Sequence, residues 1–252
     1  EVKLNKKTLS MNIIKLKKIF LYILFLFLVP SSVSAGDLIL KSLGHGSFLI
    51  KGRENSVLIN PFKATGCATD LNEPKGLNPD FILASSRLAD EGYNPGNELM
   101  FVEPGVYKFK DILLNGIEVP HDRVGGRRFG MATVWSWEQN NLKIIHMGGA
   151  AGEMDINSQI ILSRPDILFI SIGGGFKSYD GKEASQIVKT LKPSIVIPVH
   201  FVRGKKNSEY CEFSNADLFL ENMQDFKVKY LGKNFEINSK RIDKNTIYIF
   251  KD

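Results

Sequence analysis

Histidine is scarce in this 252-residue chain: His45, His121, His146 and His200 are the whole supply. A metal centre built mainly of imidazole can draw on no more than these. Cysteine is scarcer still, with only Cys67 and Cys211. Neither has an adjacent base, so a cysteine nucleophile is not indicated. Long apolar runs are missing as well. The stretch from Ile19 to Val29 is shorter than the roughly 20 residues that span a bilayer comfortably. An excess of charge is also lacking beyond the first 35 residues. Those residues hold Lys3, Lys6, Lys7, Lys15, Lys17 and Lys18 against Glu1, and the remainder has 27 Lys and Arg against 26 Asp and Glu. A general polyanion surface is therefore excluded, and nucleic acid is not an expected partner. Gly173–Gly175 has neither a P-loop lysine nor a G-x-G-x-x-G spacing, so it reads as a tight turn rather than a phosphate cradle. There is no internal repeat or low-complexity segment after residue 35.

What is present begins with an export pattern. Met11 is read as the start, followed by Lys15, Lys17 and Lys18, then Ile19 to Val29, then Val33-Ser34-Ala35. A basic stretch, a short apolar stretch and a small-x-small site form a secretory signal. The expectation is cleavage after Ala35, leaving a single domain over 36–252, with an uncleaved anchor as the alternative. The protein is then exported to a periplasm, lumen or extracellular space, and meets membrane only through that segment. In such a compartment Cys67 and Cys211 either pair or remain separate thiols.

The domain reads as strands first and helix–strand units later. Strands are expected over 37–43, 47–51, 56–60, 81–84, 106–109, 112–119, 131–137 and 142–146, with Asn140-Asn141 turning between the last two. Helices are expected over 155–162, 182–191 and 215–223, the last with Ser214 as N-cap. Strands at 166–170, 194–199, 228–231 and 246–250 alternate with them. This order predicts an α/β sandwich.

Several motifs lie along that frame. Leu43-Gly44-His45-Gly46-Ser47 opens it, Ile59-Asn60-Pro61-Phe62 ends a strand, and Ser85-Ser86-Arg87-Leu88-Ala89-Asp90-Glu91 follows another. Pro120-His121-Asp122, His146-Met147-Gly148-Gly149-Ala150, Ile170-Ser171-Ile172-Gly173-Gly174 and Ile197-Pro198-Val199-His200-Phe201 come later. In order, these segments resemble the metallo-β-lactamase superfamily, in the branch of ascorbate-6-phosphate lactonase-like and N-acyl-phosphatidylethanolamine phospholipase-like hydrolases. The resemblance covers about residues 38–201. It implies a four-layered αββα sandwich and an ancestral metal-assisted hydrolysis of an ester, lactone or phosphodiester. It also implies that the H-x-H-x-D-H ligand positions are held here by Ser86, Leu88, Asp90 and Glu91. The metal-bridging aspartate is replaced by Gly149, and a supporting aspartate by Asn60.

A two-zinc site of that kind needs about seven ligands, mostly imidazole. Leu88 cannot ligate at all. Two readings follow. In the first, the centre is degenerate, holds no metal, and the protein is a binding or scaffold protein for a small anionic molecule or a protein partner. In the second, Asp90, Glu91 and His200, with His121 as fourth ligand or proton carrier, hold one Zn, Fe or Mn ion for a mononuclear hydrolase. His45 and His146 read as core histidines. The glycine-rich loop after His121 carries Arg123, Arg127 and Arg128; Arg127 and Arg128, with Arg87 inside the altered 85–91 segment, are candidates for gripping an anion.

Overall fold

The computed structural model describes residues 37–96, 98–203 and 211–251. The signal segment expected over residues 1–35 lies outside the described residues. Two sheets form the domain. The first runs in the order β13-β1-β2-β3-β4-β5 and the second β12-β14-β11-β10-β9-β8-β7-β6. The first is made of β1 (Leu38–Gly44), β2 (Ser47–Lys51), β3 (Ser56–Ile59), β4 (Phe81–Leu83), β5 (Met100–Phe101) and β13 (Asn234–Ile237). The second contains β6 (Gly105–Phe109), β7 (Ile112–Pro120), β8 (Met131–Gln139), β9 (Leu142–His146), β10 (Ile167–Ser171), β11 (Ile195–Val199), β12 (Lys227–Leu231) and β14 (Thr246–Phe250).

Alternation along β1 sends Leu38 and Leu40 inward, as a half-buried strand requires. They meet Phe48, Phe81, Trp135, Trp137, Phe169 and Phe250 between the sheets. In β10 and β11 every residue is buried, because helices cover their other face. Those helices are α1 (Ile156–Ile161), α2 (Gly181–Leu191) and α3 (Asp217–Glu221). On α2, Ala184, Val188 and Leu191 recur at helical spacing and pack on Leu168, Ile170 and Val196. Burying a Val or Leu side chain contributes about 2 kcal/mol. Asp180 starts α2 with a capping box completed by Glu183, satisfying N–H groups that have no partner inside the helix. On the far side of the first sheet, Leu77 of the long 61–79 connection packs over Leu49, Leu58 and Ile82. The domain is thus the expected metallo-β-lactamase-type sandwich, with its outermost layer on this side supplied by that connection among the described residues.

The structure departs from the sequence reading in detail. β5 and β13 are additional strands. The cap of α3 is not Ser214: Ala216 holds that position without a side-chain bond, and Asn215 Oδ1 accepts from Asp217 N at 3.2 Å. Asn140 and Asn141 do form the turn after β8, both with positive φ. The two cysteines pair, joining Cys67 to Cys211 across 144 residues.

Strand direction sets where chemistry collects. β3 and β4 run parallel, as do β9, β10 and β11, and β7 shares their direction through the antiparallel β8. Their carboxyl ends deliver Asn60, Ser85, His121, Gly149 and His200 to one edge, where α/β folds place their sites.

Candidate functional site

Glu91 is the hub of that edge. It is 3% exposed and forms a buried ion pair with His121 Nε2 through Oε1. The same oxygen accepts from Ser86 Oγ at 2.6 Å, and Oε2 accepts from Ser85 Oγ at 2.9 Å. Ser85 Oγ accepts in turn from Asn60 Nδ2 at 2.9 Å and from Gly149 N at 3.2 Å. Asn60 Oδ1 accepts from Ser85 N at 2.9 Å. Four of the five positions that depart from the resembled pattern, Asn60, Ser86, Glu91 and Gly149 but not Leu88, therefore form one network, with Ser85 at its junction.

Burial alone would raise the Glu91 pKa, and it is the largest single influence. The charge and hydrogen bond of His121, with His200 and Ser86, outweigh it and hold Glu91 below the ordinary carboxylate range. For His121 burial again acts first and lowers the pKa, but the Glu91 charge and hydrogen bond carry it net upward. Both directions favour a carboxylate beside an imidazolium. The arrangement is not a nucleophilic triad. Both serine hydroxyls donate to the carboxylate, neither to an imidazole, and a carboxylate held below its usual range is a weak base.

His200 directly follows β11 and is 4% exposed. Its Nε2 has no hydrogen-bond partner among the described residues. A methyl group built on Gly46 would lie 2.4 Å from that nitrogen, so the opening loop packs directly against it. The His45 ring stands edge-on to it at 4.5 Å, with Phe213 at 5.8 Å from both imidazoles. Burial first, then His45, push the His200 pKa well down. His146 is a core residue, as expected: its Nε2 bonds Gly46 O at 3.0 Å and its Nδ1 accepts from Gly148 N at 3.0 Å. Burial lowers its pKa to about 4.

The ligand set of the mononuclear reading is not assembled. Asp90, next to Glu91, turns to an ion pair with Lys177, and among the described residues no three His, Cys, Asp or Glu side chains form a group that could hold an ion. The space tells the same way. A Cβ on Gly149 would meet His121 Nε2 at 2.4 Å and Glu91 Oε2 at 2.6 Å. The ion pair fills the room that a bridging aspartate would need. Among the described residues, the side chains as placed are not gathered as a two-metal or a three-ligand centre would need.

Nor do the three candidate arginines converge. Arg87 pairs with Glu103 at 2.9 Å, both exposed. Arg127 Nε donates to Val124 O at 2.9 Å, and Arg128 stacks on Phe176 at 4.0 Å. Arg123, on the same loop, bonds Glu183 through Nε at 3.0 Å and Nη2 at 2.6 Å, and donates to Ser178 O and Gly175 O. Beside it, Asp122 gathers the backbone N–H groups of Val124, Gly126, Arg128 and Phe129 at 2.8–2.9 Å. These bonds, with Lys177–Asp90, stitch the 122–130 and 173–178 loops over the network. Only the spacing of Asp122 to the glycines hinted at its role; Lys177 and Ser85 carried no signal. A cleft of about 320 Å³ reaches Ser86 from outside, lined by Arg87, Glu118, Phe129 and Met131. A separate cavity of about 520 Å³ lies between α1 and α2.

A family model described as a beta-lactamase superfamily domain matches residues 39–200. A UPF0173 metal-dependent hydrolase of Thermoplasma acidophilum is 25% identical over 63% of this chain and 80% of its own length. One from Thermococcus onnurineus is 28% identical over 63% and 82%. Among solved structures, a protein of Thermotoga maritima named as a Zn-dependent hydrolase of the metallo-β-lactamase superfamily aligns with TM-score 0.66 at 19% identity, covering 84% of this chain and 98% of that one. The metallo-β-lactamase fold protein YhfI of Bacillus subtilis aligns with TM-score 0.56 at 9% identity, covering 86% and 97%.

Proposed function

The chain belongs to the β-lactamase superfamily domain family, and from that premise we propose that it is an exported, metal-free member in which the hydrolytic centre has become a structural core and the protein acts by binding. The observation that carries this is the position of the Glu91–His121 pair, lying where a side chain on Gly149 would have to go. A catalytic metal site keeps an open position for water. Here His121, Glu91 and His200 are each less than 5% exposed and the loops above them are tied down. Export is supported by the Cys67–Cys211 bridge, since disulfides persist in oxidising compartments.

A second reading has one specific support. The relatives are named metal-dependent hydrolases, and His121 Nδ1 and His200 Nε2 both lack partners among the described residues. Opening the Glu91–His121 pair would free a carboxylate and an imidazole for one ion. Metal analysis of the purified chain separates the two. The expected result is far less than one equivalent of Zn, Fe or Mn, with a melting temperature indifferent to chelator and to added zinc. A full equivalent that disappears in His200→Ala would overturn the metal-free reading.

A further inference from the structure

The eight-stranded sheet ends at β12, with no strand of the described residues beyond it. β12 pairs with β14 in parallel, from Lys227 opposite Thr246 to Leu231 opposite Phe250. Lys227 N donates to Asn245 O, and Leu231 O accepts from Lys251 N. Successive residues of a strand turn their N–H and C=O to alternate edges. Lys227, Lys229 and Leu231 therefore bond inward, while Val228 and Tyr230 offer theirs to the open edge.

The side chains of those two residues are uncovered as well. Opposite them in β14 stand Ile247 and Ile249, buried with Phe219 of α3 in the helix-side core. Val228 and Tyr230 continue the same face, but the five-residue α3 leaves them 40% and 72% exposed. Around the edge the charge is one-sided. Residues 225–251 hold seven Lys and Arg against three Asp and Glu, in a domain that is otherwise near neutral. Lys229 is paired with Asp243. Lys227 lies on the strand, Lys233 in the turn to β13 and Lys251 just past β14.

Lysines on an edge strand commonly keep strange strands away. That role does not call for an exposed tyrosine and valine on the same five residues. A second copy fits poorly, because two β12 edges would bring their lysines together, and like charges across a strand pair destabilise. An extended segment with carboxylates meets both features. We propose that the β12 edge is a docking strand for an extended acidic segment of a partner protein. The segment adds as a ninth strand by backbone bonds to Val228 and Tyr230, its apolar side chains against theirs and its carboxylates toward Lys227, Lys233 and Lys251. The site stands apart from the closed centre, so it holds whether or not that centre binds metal.

The probe is a short peptide alternating Glu and Val, set against one with Lys for Glu and one interrupted by proline. Amide exchange on the full chain is the readout. The Glu peptide is expected to slow exchange at Val228 and Tyr230 by about tenfold or more near saturation, and the other two peptides to leave it unchanged. Val228→Pro removes an outward N–H that no ladder bond uses. It should weaken the peptide about tenfold or more, a loss of about 1.4 kcal/mol, while the melting temperature holds. Lys227→Glu combined with Lys233→Glu leaves the backbone intact and should weaken binding similarly, covering the case in which the proline variant misfolds. The proposal is overturned by any of four results: no protection at millimolar Glu peptide; binding that survives both variants; equal binding to anionic vesicles or single-stranded DNA; or protection without peptide that grows with protein concentration, which would point to a second copy.

Discussion

At the scale of single residues, the centre turns on which way a carboxylate points. Asp90 and Glu91 are neighbours, and the sequence reading placed both at one half-site with His200. In the turn after β4 they diverge: Asp90 goes to Lys177 and Glu91 to His121. The partners lie 87 and 30 residues away, and no local pattern announces them. The losses at Asn60, Ser86 and Gly149 were legible because each departs from a motif. That they bond to one another was not, because it depends on strands brought together by the sheet. A buried ion pair stripped of one partner leaves an uncompensated charge, at a cost of about 3–5 kcal/mol. Glu91→Gln and His121→Gln are each expected to destabilise by about that much. The double variant should cost clearly less than the two together, since it removes both charges. Urea unfolding of the four proteins checks this; additive single effects would mean that the pair is not coupled.

At the scale of elements, period and turn chemistry carried most of the fold. β2 and β9 begin and end where alternation and flanking turns put them, and the α2 stripe of Ala184, Val188 and Leu191 is the buried face. β5, with two residues, is too short for any period. β13 does alternate polar and apolar residues, Asn-Phe-Glu-Ile, but over only four positions. Edges between elements were harder to read, and Asp80 is an example. Just before β4, it accepts from Ser56 N and Ser56 Oγ of β3, each at 2.9 Å, and from Lys110 Nζ at 2.7 Å in the turn between β6 and β7. Lys110 first, then the Ser56 backbone, lower its pKa from 3.8 to about 2. A carboxyl group with a depressed folded pKa contributes stability above its unfolded value and loses it as the pH falls through the folded one. The wild type is thus expected to lose an increment between about pH 4 and pH 2 that Asp80→Asn does not, the variant being less stable at neutral pH. With the side chain partly solvated, the increment should stay below about 1 kcal/mol. Parallel melting curves across that range would refute the staple if the two proteins lost stability alike.

At the scale of the whole domain, the sandwich is two sheets that share one edge, where the strand ends of both deliver the candidate site. Three of the ties that bridge the sheets lie at or near the candidate site. Glu91 follows β4 of the first and His121 follows β7 of the second. His200 N, after β11, donates to His45 O between β1 and β2 at 2.8 Å. The third is covalent: Cys67, in the connection after β3, joins Cys211, which precedes α3. The sequence left that pairing open because two cysteines so far apart carry no distance information. A link across 144 residues removes much unfolded-chain freedom, worth about 3–5 kcal/mol in the loop-entropy model. Reduction should add about two daltons, and Cys67→Ser with Cys211→Ser should lower the unfolding free energy by that amount. Phe213, two residues beyond the bridge, rests on the His45 and His200 rings, so the loss should be accompanied by faster exchange at the amides around His200, while β6 and β7 at the far end of the second sheet keep their protection. Two free thiols titrating in the folded, unreduced protein would remove this covalent tie and leave the sheet junction to non-covalent contacts.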